Sequence, residues 1–218
     1  MKTVVVINYG LSNILSIKNA LEFCGARVIV TNKASDVENA EYLVLPGVGA
    51  FQNGMESLER CGLVQPLNKA VNNGVPLLGI CLGMQMLFDS SEEFGNHKGL
   101  GLIPGKVIRI SDYDKDGNKQ KIPHISWSAL YPSNKNEEFS SSLLKGIQVG
   151  DECYFIHSYQ AIPERLEHRI ANIVYGGETL CAVVQDENVM GTQFHPEKSG
   201  EVGLKILKNF FMPKKSYM

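Results

Sequence analysis

The chain of 218 residues has no C-x-x-C pair, no apolar run of 18 residues and no block of basic charge. Each absence excludes a class. Its five cysteines, Cys24, Cys61, Cys81, Cys153 and Cys181, are odd in number, which argues against a disulfide framework, and their spacing argues against a zinc ribbon or knuckle. No membrane-spanning helix is expected. The N-terminus, MKTVVVINYGLSN, has neither an h-region of signal-peptide length nor a small-residue cleavage site. Lys and Arg number 21 against 23 Asp and Glu, a net charge of -2, so nucleic acid has no electrostatic footprint here, and the PKK tail at 213–215 reads as a solvated end. The glycine-rich PGVGAFQNG (46–54) is no nucleotide loop: its third glycine is too late for G-x-G-x-x-G, and Met55-Glu56 stands where a P-loop needs Lys and Ser/Thr. Nothing calls for a metal or an organic cofactor, and a reducing cytosol is the simplest compartment.

What is there is an α/β pattern. VVVI (4–7), VIV (28–30), YLVLP (42–46) and VPLLGI (75–80) read as strands. Between them come a helix from Ser12 stopped near Gly25, and a helix after PGVGAF running to about residue 72. LGMQMLFDS continues the fourth strand as helix. Alternating strands and helices predict a mostly parallel sheet. The second half changes character. KVIRI (106–110), DKDGN and KQKIP predict a hairpin turned at Asp116-Gly117, and ANIVYGGETLCAVVQ (171–185) another at Gly176-Gly177. ECYFIHSY (152–159) and VMGTQFH (189–195) read as strands, and SGEVGLKILKNFF (199–211) as an amphipathic helix. The polar PSNKNEEFSSS (132–142) reads as a surface loop. The expectation is one α/β domain over residues 1–218 with an antiparallel appendage.

The chemistry concentrates at GICLGMQ (79–85). G-x-C-x-G between a strand and a helix describes a sharp elbow that lifts a nucleophile out at the end of a sheet, with small residues on either side to avoid clashes. The following helix N-terminus would favour the thiolate and offer backbone N–H groups to an oxyanion. Of the other cysteines, Cys24 and Cys61 lie beside glycines at helix ends, and Cys153 and Cys181 read as core residues in apolar strands. A cysteine nucleophile needs a base. His195 ends an apolar strand in TQFHPEKS, and Glu197, two residues on, is placed to orient and charge-stabilise its ring. Taken alone, each motif has a bland reading, a core cysteine or a solvated loop.

Together and in order, PGVG, GICLGMQ and TQFHPEKS resemble the class I, triad-type glutamine amidotransferases, a flavodoxin-like three-layer α/β fold. NYGxSN, LPGVGAF, GICLGMQMLF, GLGLIPGKV, PHxxW, YFIHSY and GTQFHPEKSGEVGLKILKNF narrow the resemblance to the glutaminase subunits of imidazole glycerol phosphate synthases, over about residues 4–211. That resemblance implies that Cys81 attacks the side-chain amide of glutamine to give a glutamyl thioester and ammonia, that His195 shuttles the proton and that Glu197 orients it. It implies an oxyanion hole from Leu82 N–H and the backbone of Gly47-Val48, substrate contacts from Gly49, Gln85, Ser158 and Tyr159, and a partner face at or near Asn13, His124, Trp127 and Lys198. The implied partner is a barrel-shaped subunit that receives ammonia through an internal channel. It joins the ammonia to a ribulosyl aminoimidazole-carboxamide nucleotide, giving imidazole glycerol phosphate for histidine synthesis. In such a family the free glutaminase is idle, because the PGVG peptide is held in an unproductive orientation.

The chain also departs from the pattern. Asn8 stands where the family has Asp, and P-H-I-S-W-S (123–128) where it has P-H-M-G-W-N. The segments 111–121 and 132–142 are longer. Such departures near the partner face suit a paralogue that feeds ammonia to the amidation of a surface sugar. A non-catalytic subunit of the same fold, or a peptidase on a similar fold, are the remaining alternatives. The first leaves the complete Cys81–His195–Glu197 set without a purpose, and the second leaves Gln85 and HPEKSGEVG unexplained.

Overall fold

The computed structural model describes residues 1–11, 13–133, 138–139 and 141–211. The proposed helix start at Ser12, residues 134–137 and 140 of the polar loop, and the PKK tail lie outside the described residues. The first half runs β1 (Thr3–Ile7), α1 (Ile14–Phe23), β2 (Arg27–Thr31), α2 (Ala34–Glu38), β3 (Tyr42–Gly47), α3 (Phe51–Arg60), α4 (Val64–Asn72), β4 (Leu77–Cys81) and α5 (Leu82–Met86). The second half adds β5 (Phe88–Ser91), β6 (His97–Lys98), β7 (Ile103–Arg109), β8 (His124–Ala129), β9 (Tyr131–Pro132), β10 (Glu152–His157), β11 (Tyr159–Pro163), β12 (Arg169–Tyr175), β13 (Glu178–Asp186), β14 (Val189–Thr192) and α6 (Gly200–Phe210).

The central sheet has eight strands in the order β2-β1-β3-β4-β14-β13-β12-β9. It is parallel from β2 through β14 and antiparallel from β14 to β9. Side chains of a strand alternate between faces. Val4 and Val6 therefore pack with Ile17 and Leu21 of α1 and Ile206, Leu207 and Phe210 of α6. Val5 and Ile7 pack on the other side with Phe51, Leu58 and Leu67 of α3 and α4. Covering both faces is what makes these strands read as unbroken apolar runs. Two small sheets, β10-β8 and β11-β7-β5-β6, form the appendage. It is antiparallel except for the parallel pair β5–β7.

Several elements differ from expectation. The helix predicted to run on to residue 72 is two helices, because Gly62, at φ +67°, ends α3. Leu63 N–H reaches back to Leu58 O and Gly62 N–H to Glu59 O, the paired bonds of a glycine-terminated helix, and Gly25 ends α1 the same way. LGMQMLFDS does not continue as helix. α5 stops after five residues, and Phe88–Ser91 becomes a strand between β6 and β7. The predicted 106–121 hairpin is absent: β7 pairs with β11 and β5, and segment 111–121 keeps one isolated bridge, Tyr113 to Lys119. The Asp-Gly turn exists, built on Asp114, whose carboxylate accepts from the N–H groups of Asp116 (3.0 Å) and Asn118 (2.8 Å), but no strand follows it. ECYFIHSY is broken at Ser158 into β10 and β11. The 171–185 hairpin forms as predicted, with Gly176 and Gly177 both at positive φ.

Candidate active site

β4 is buried along its whole length between β3 and β14. It ends on Cys81, whose backbone sits at φ +54°, ψ -111°, a region a non-glycine residue occupies only at a cost of about 1–3 kcal/mol. The chain turns there directly into α5. The flanking glycines are required sterically. A Cβ on Gly79 would lie 2.7 Å from Gly83 O, and one on Gly83 would lie 1.8 Å from Leu45 O. The elbow therefore folds against β3 with no room for any side chain at either position.

β14 lies beside β4, with Thr192 paired to Ile80. The chain beyond it brings His195 to the cavity that Cys81 also lines. A single 3-10 turn, Pro196–Lys198, then carries Glu197 back under the ring. Glu197 Oε1 lies 2.8 Å from His195 Nδ1, with side-chain exposures of 1% and 4%. A carboxylate oxygen can only accept, so Nδ1 carries the proton and Nε2 is the nitrogen left for Cys81. Burial pulls the imidazole pKa down, but the Glu197 hydrogen bond and the neighbouring Cys81 and Glu197 charges outweigh it and raise it to about 10. The ring is held as a cation beside sulfur.

These groups open onto a cavity of about 350 Å³. Val48, Gly49, Leu82, Gln85, Ser158, Tyr159 and Lys198 line it, together with Glu93, Pro123, Ile156 and His157. Sequence reasoning named the first seven and missed the last four. Glu93 follows β5 and accepts the Phe51 N–H at 2.6 Å. No local pattern marks it, since only the unforeseen β5–β7 pairing brings it here. Gln193 was also missed: fully buried, its amide nitrogen lies 3.8 Å from Cys81 Sγ. The alternation that puts residues 193 and 195 on one side of an extended chain was the available signal.

Val48 N–H does not face the cavity: it donates to Leu11 O at 3.0 Å. The end of β3 before Val48 is anchored too, because Tyr9 O–H donates to Pro46 O at 2.8 Å and fills the space a Cβ on Gly47 would need. Burial, helped by the nearby Cys81 charge, holds this phenol well above its usual range, so it stays protonated as a donor. His124, expected at or near the partner face, is buried beneath it. It is 0% exposed, on the inner face of β8, with Nδ1 3.0 Å from His157 Nε2. His157 Nδ1 lies 2.9 Å from Tyr159 O, which fixes that proton, so His124 must donate to His157. Both rings are held neutral by burial, their pKa values lowered to about 4.

Alternation along β8 settles where the departures from the family pattern point. Ser126 and Ser128 face inward, 2.8 and 3.1 Å from His124 Nε2. Ile125 and Trp127 face outward, 47% and 49% exposed. Ile125 pairs with Ile156, which is also exposed and lines the cavity with exposed Val48, so an apolar strip runs from the cavity onto β8. Lys198 Nζ lies over the Tyr154 ring, which meets Trp127 edge-on, and Asn13 is exposed. The serines thus serve the interior, not that strip. Among the described residues no cluster of three His, Cys, Asp or Glu could hold a metal ion, and no helix is long and apolar enough to cross a membrane.

An elbow cysteine at the end of a parallel sheet, facing a His–Glu pair, defines a class, and the comparisons agree with it. The family model "Glutamine amidotransferase class-I" matches residues 5–214, and the chain belongs to this family. Its relatives include imidazole glycerol phosphate synthase subunit HisH 1 of Legionella pneumophila (strain Lens), 43% identical over 96% of this chain and 99% of the relative. The HisH subunit of Syntrophotalea carbinolica is 44% identical over 95% and 98%, and that of Geobacillus sp. (strain WCH70) 45% over 94% of each. Among solved structures, a crystal structure titled as a glutamine amidotransferase superimposes with a TM-score of 0.68 at 19% identity, covering 96% of this chain and 99% of that one. The structure of PurLQS from Thermotoga maritima gives 0.68 at 22%, covering 96% and 98%. At those identities the likeness concerns the fold.

Proposed function

We propose that this chain is the glutaminase subunit of an imidazole glycerol phosphate synthase, releasing ammonia from glutamine for a barrel-shaped partner subunit. The observation that carries the reading is Cys81 on a strained elbow with the buried His195–Glu197 pair against it, at the mouth of a cavity sized for an amino acid.

The thiolate of Cys81 attacks the glutamine side-chain carbonyl carbon. The carbonyl π electrons move to oxygen, and Leu82 N–H receives the oxyanion. His195 gives its proton to the departing nitrogen, the C–N bond breaks, and ammonia leaves behind a glutamyl thioester. His195, now neutral at Nε2, takes a proton from water. The hydroxide displaces sulfur, glutamate leaves, and thiolate and imidazolium are restored. Glu197 keeps the proton on Nδ1 throughout and stabilises the cation. Gly49, Gln85, Ser158 and Tyr159 hold the substrate, and the Glu93 carboxylate suits its α-ammonium group.

The second oxyanion donor is Val48 N–H, which must first leave Leu11 O and turn inward. The free subunit is therefore a poor catalyst, and docking of the partner with its nucleotide on the strip around Trp127 releases the peptide. Asn13 and Lys198 belong to that face. His124 supports it from beneath, through β8.

The test is glutamate release in three mixtures: the chain alone, the chain with a histidine-pathway barrel subunit and its ribulosyl nucleotide, and the same with Cys81→Ala. Strong stimulation in the second and none in the third is the expected result. An idle second mixture containing folded protein sinks the assignment to histidine synthesis.

A further inference from the structure

The pairing of β14 with β4 places Gln193, just past Thr192, beside Cys81. Its side chain is 0% exposed, and its conformation is set by a second buried amide. Gln85 Nε2 lies 3.2 Å from Tyr159 O and 3.0 Å from Gln193 Oε1. A backbone carbonyl can only accept, so the atom Gln85 turns toward it is its NH2 group. That NH2 has two hydrogens, and both are used, one on Tyr159 O and one on the Gln193 oxygen. The Gln193 oxygen is thereby fixed toward Gln85, and its nitrogen faces Cys81 Sγ at 3.8 Å.

We infer that Gln193 is a further catalytic residue of this site, its amide N–H stabilising the Cys81 thiolate, and that Gln85 positions it by locking the amide orientation. The inference rests on the glutaminase reading only in taking Cys81 as the nucleophile. It answers a need the elbow leaves open. α5 is five residues long, too short to supply the macrodipole of a full helix, and Leu82 N–H is committed to the oxyanion. A neutral amide does not titrate, so it holds the sulfur through the whole cycle. The Ile156 carbonyl, 3.9 Å from Sγ, accepts from the protonated thiol and opposes the thiolate, which makes a further donor more necessary.

The titratable groups around Cys81 are His195 with Glu197 behind it, Tyr9 behind Pro46, and His157, Glu93 and Lys198 along the cavity. None is altered by a change at 193. The test is the pH dependence of Cys81 alkylation by iodoacetamide, read on the Cys81 peptide by mass spectrometry in the full chain, for wild type, Gln193→Met and Gln85→Met. Removing one hydrogen bond to a charged atom moves the midpoint of the Gln193→Met profile up by about one pH unit. Gln85→Met keeps the amide but frees it to turn, and moves the midpoint up by less. A merely structural role for Gln193 lowers the unfolding temperature and leaves the midpoint in place, and that result overturns the inference. If Gln193→Met does not fold, Gln85→Met decides, and an unmoved midpoint there overturns it as well. The readout uses no glutamine. A shift stands even if the wild-type complex turns over no glutamine, and an unmoved midpoint defeats the Gln193 assignment even if turnover is normal.

Discussion

Three histidines around one cavity are held in different charge states. His195 is charge-stabilised by Glu197 and Cys81, whereas His124 and His157 are neutral rings in a directed chain ending on Tyr159 O. Their contributions to stability follow from linkage. A folded pKa raised above the unfolded value near 6.5 means that the His195 contribution is fully present below about 6.5 and lost as pH rises through about 10. A folded pKa lowered to about 4 means that His124 and His157 favour the fold above about 6.5 and lose that contribution as pH falls toward about 4. Urea midpoints should therefore decline between pH 6.5 and 4, and His124→Gln should be less stable at pH 7 but decline less steeply. An equal slope in wild type and variant would contradict the neutral assignment. The triad residues were legible in the sequence because backbone geometry dictates their spacing: an elbow needs its glycines, and a two-residue step lets Glu197 reach under His195. Glu93 and Gln193 were not, since each reaches the site through strand pairing that no local pattern encodes.

Among the elements, the elbow formed by β4 and α5 is the least tolerant of change. Gly79 and Gly83 face one another and β3 across distances that a methyl group cannot share. Gly83→Ala should destabilise the fold by about 1–3 kcal/mol or more, the cost of forced overpacking against backbone, and reduce Cys81 alkylation along with it. A variant with unchanged thermal unfolding would refute this account of G-x-C-x-G. The neighbouring elements show where sequence reasoning failed. Five residues after Cys81 the pattern LGMQMLFDS still reads as helix, yet Phe88–Ser91 finds β6 and β7, and long-range pairing overrides local preference. Likewise KQKIP has strand composition, but β7 is already flanked by β11 and β5 and has no edge to offer. The parallel strands β1, β3 and β4 were legible because burial on both faces leaves an apolar run that few other structures produce.

For the whole molecule, Cys81 and His195, the proposed catalytic groups, sit at or just past the carboxyl ends of parallel strands, where α/β sheets place their ligand crevices. The apolar strip of Ile125, Trp127 and Ile156 adjoins that crevice through Ile156, which lines it. A partner seated there would close the cavity and take its ammonia directly. Trp127, half exposed and packed edge-on against Tyr154, has the character of an interface anchor. Trp127→Ala should weaken partner binding by about 2 kcal/mol, roughly 30-fold in Kd by calorimetry, with unchanged thermal stability of the free chain. Unchanged affinity would move the docking face elsewhere. The central claim is covalent catalysis at Cys81. Acid-quenching the complex during glutamine turnover and mapping its peptides by mass spectrometry tests it most directly. The account predicts a glutamyl group on the Cys81 peptide of the wild type and none in Cys81→Ala. Glutamate release with that peptide unmodified, or undiminished release by Cys81→Ala, would contradict it.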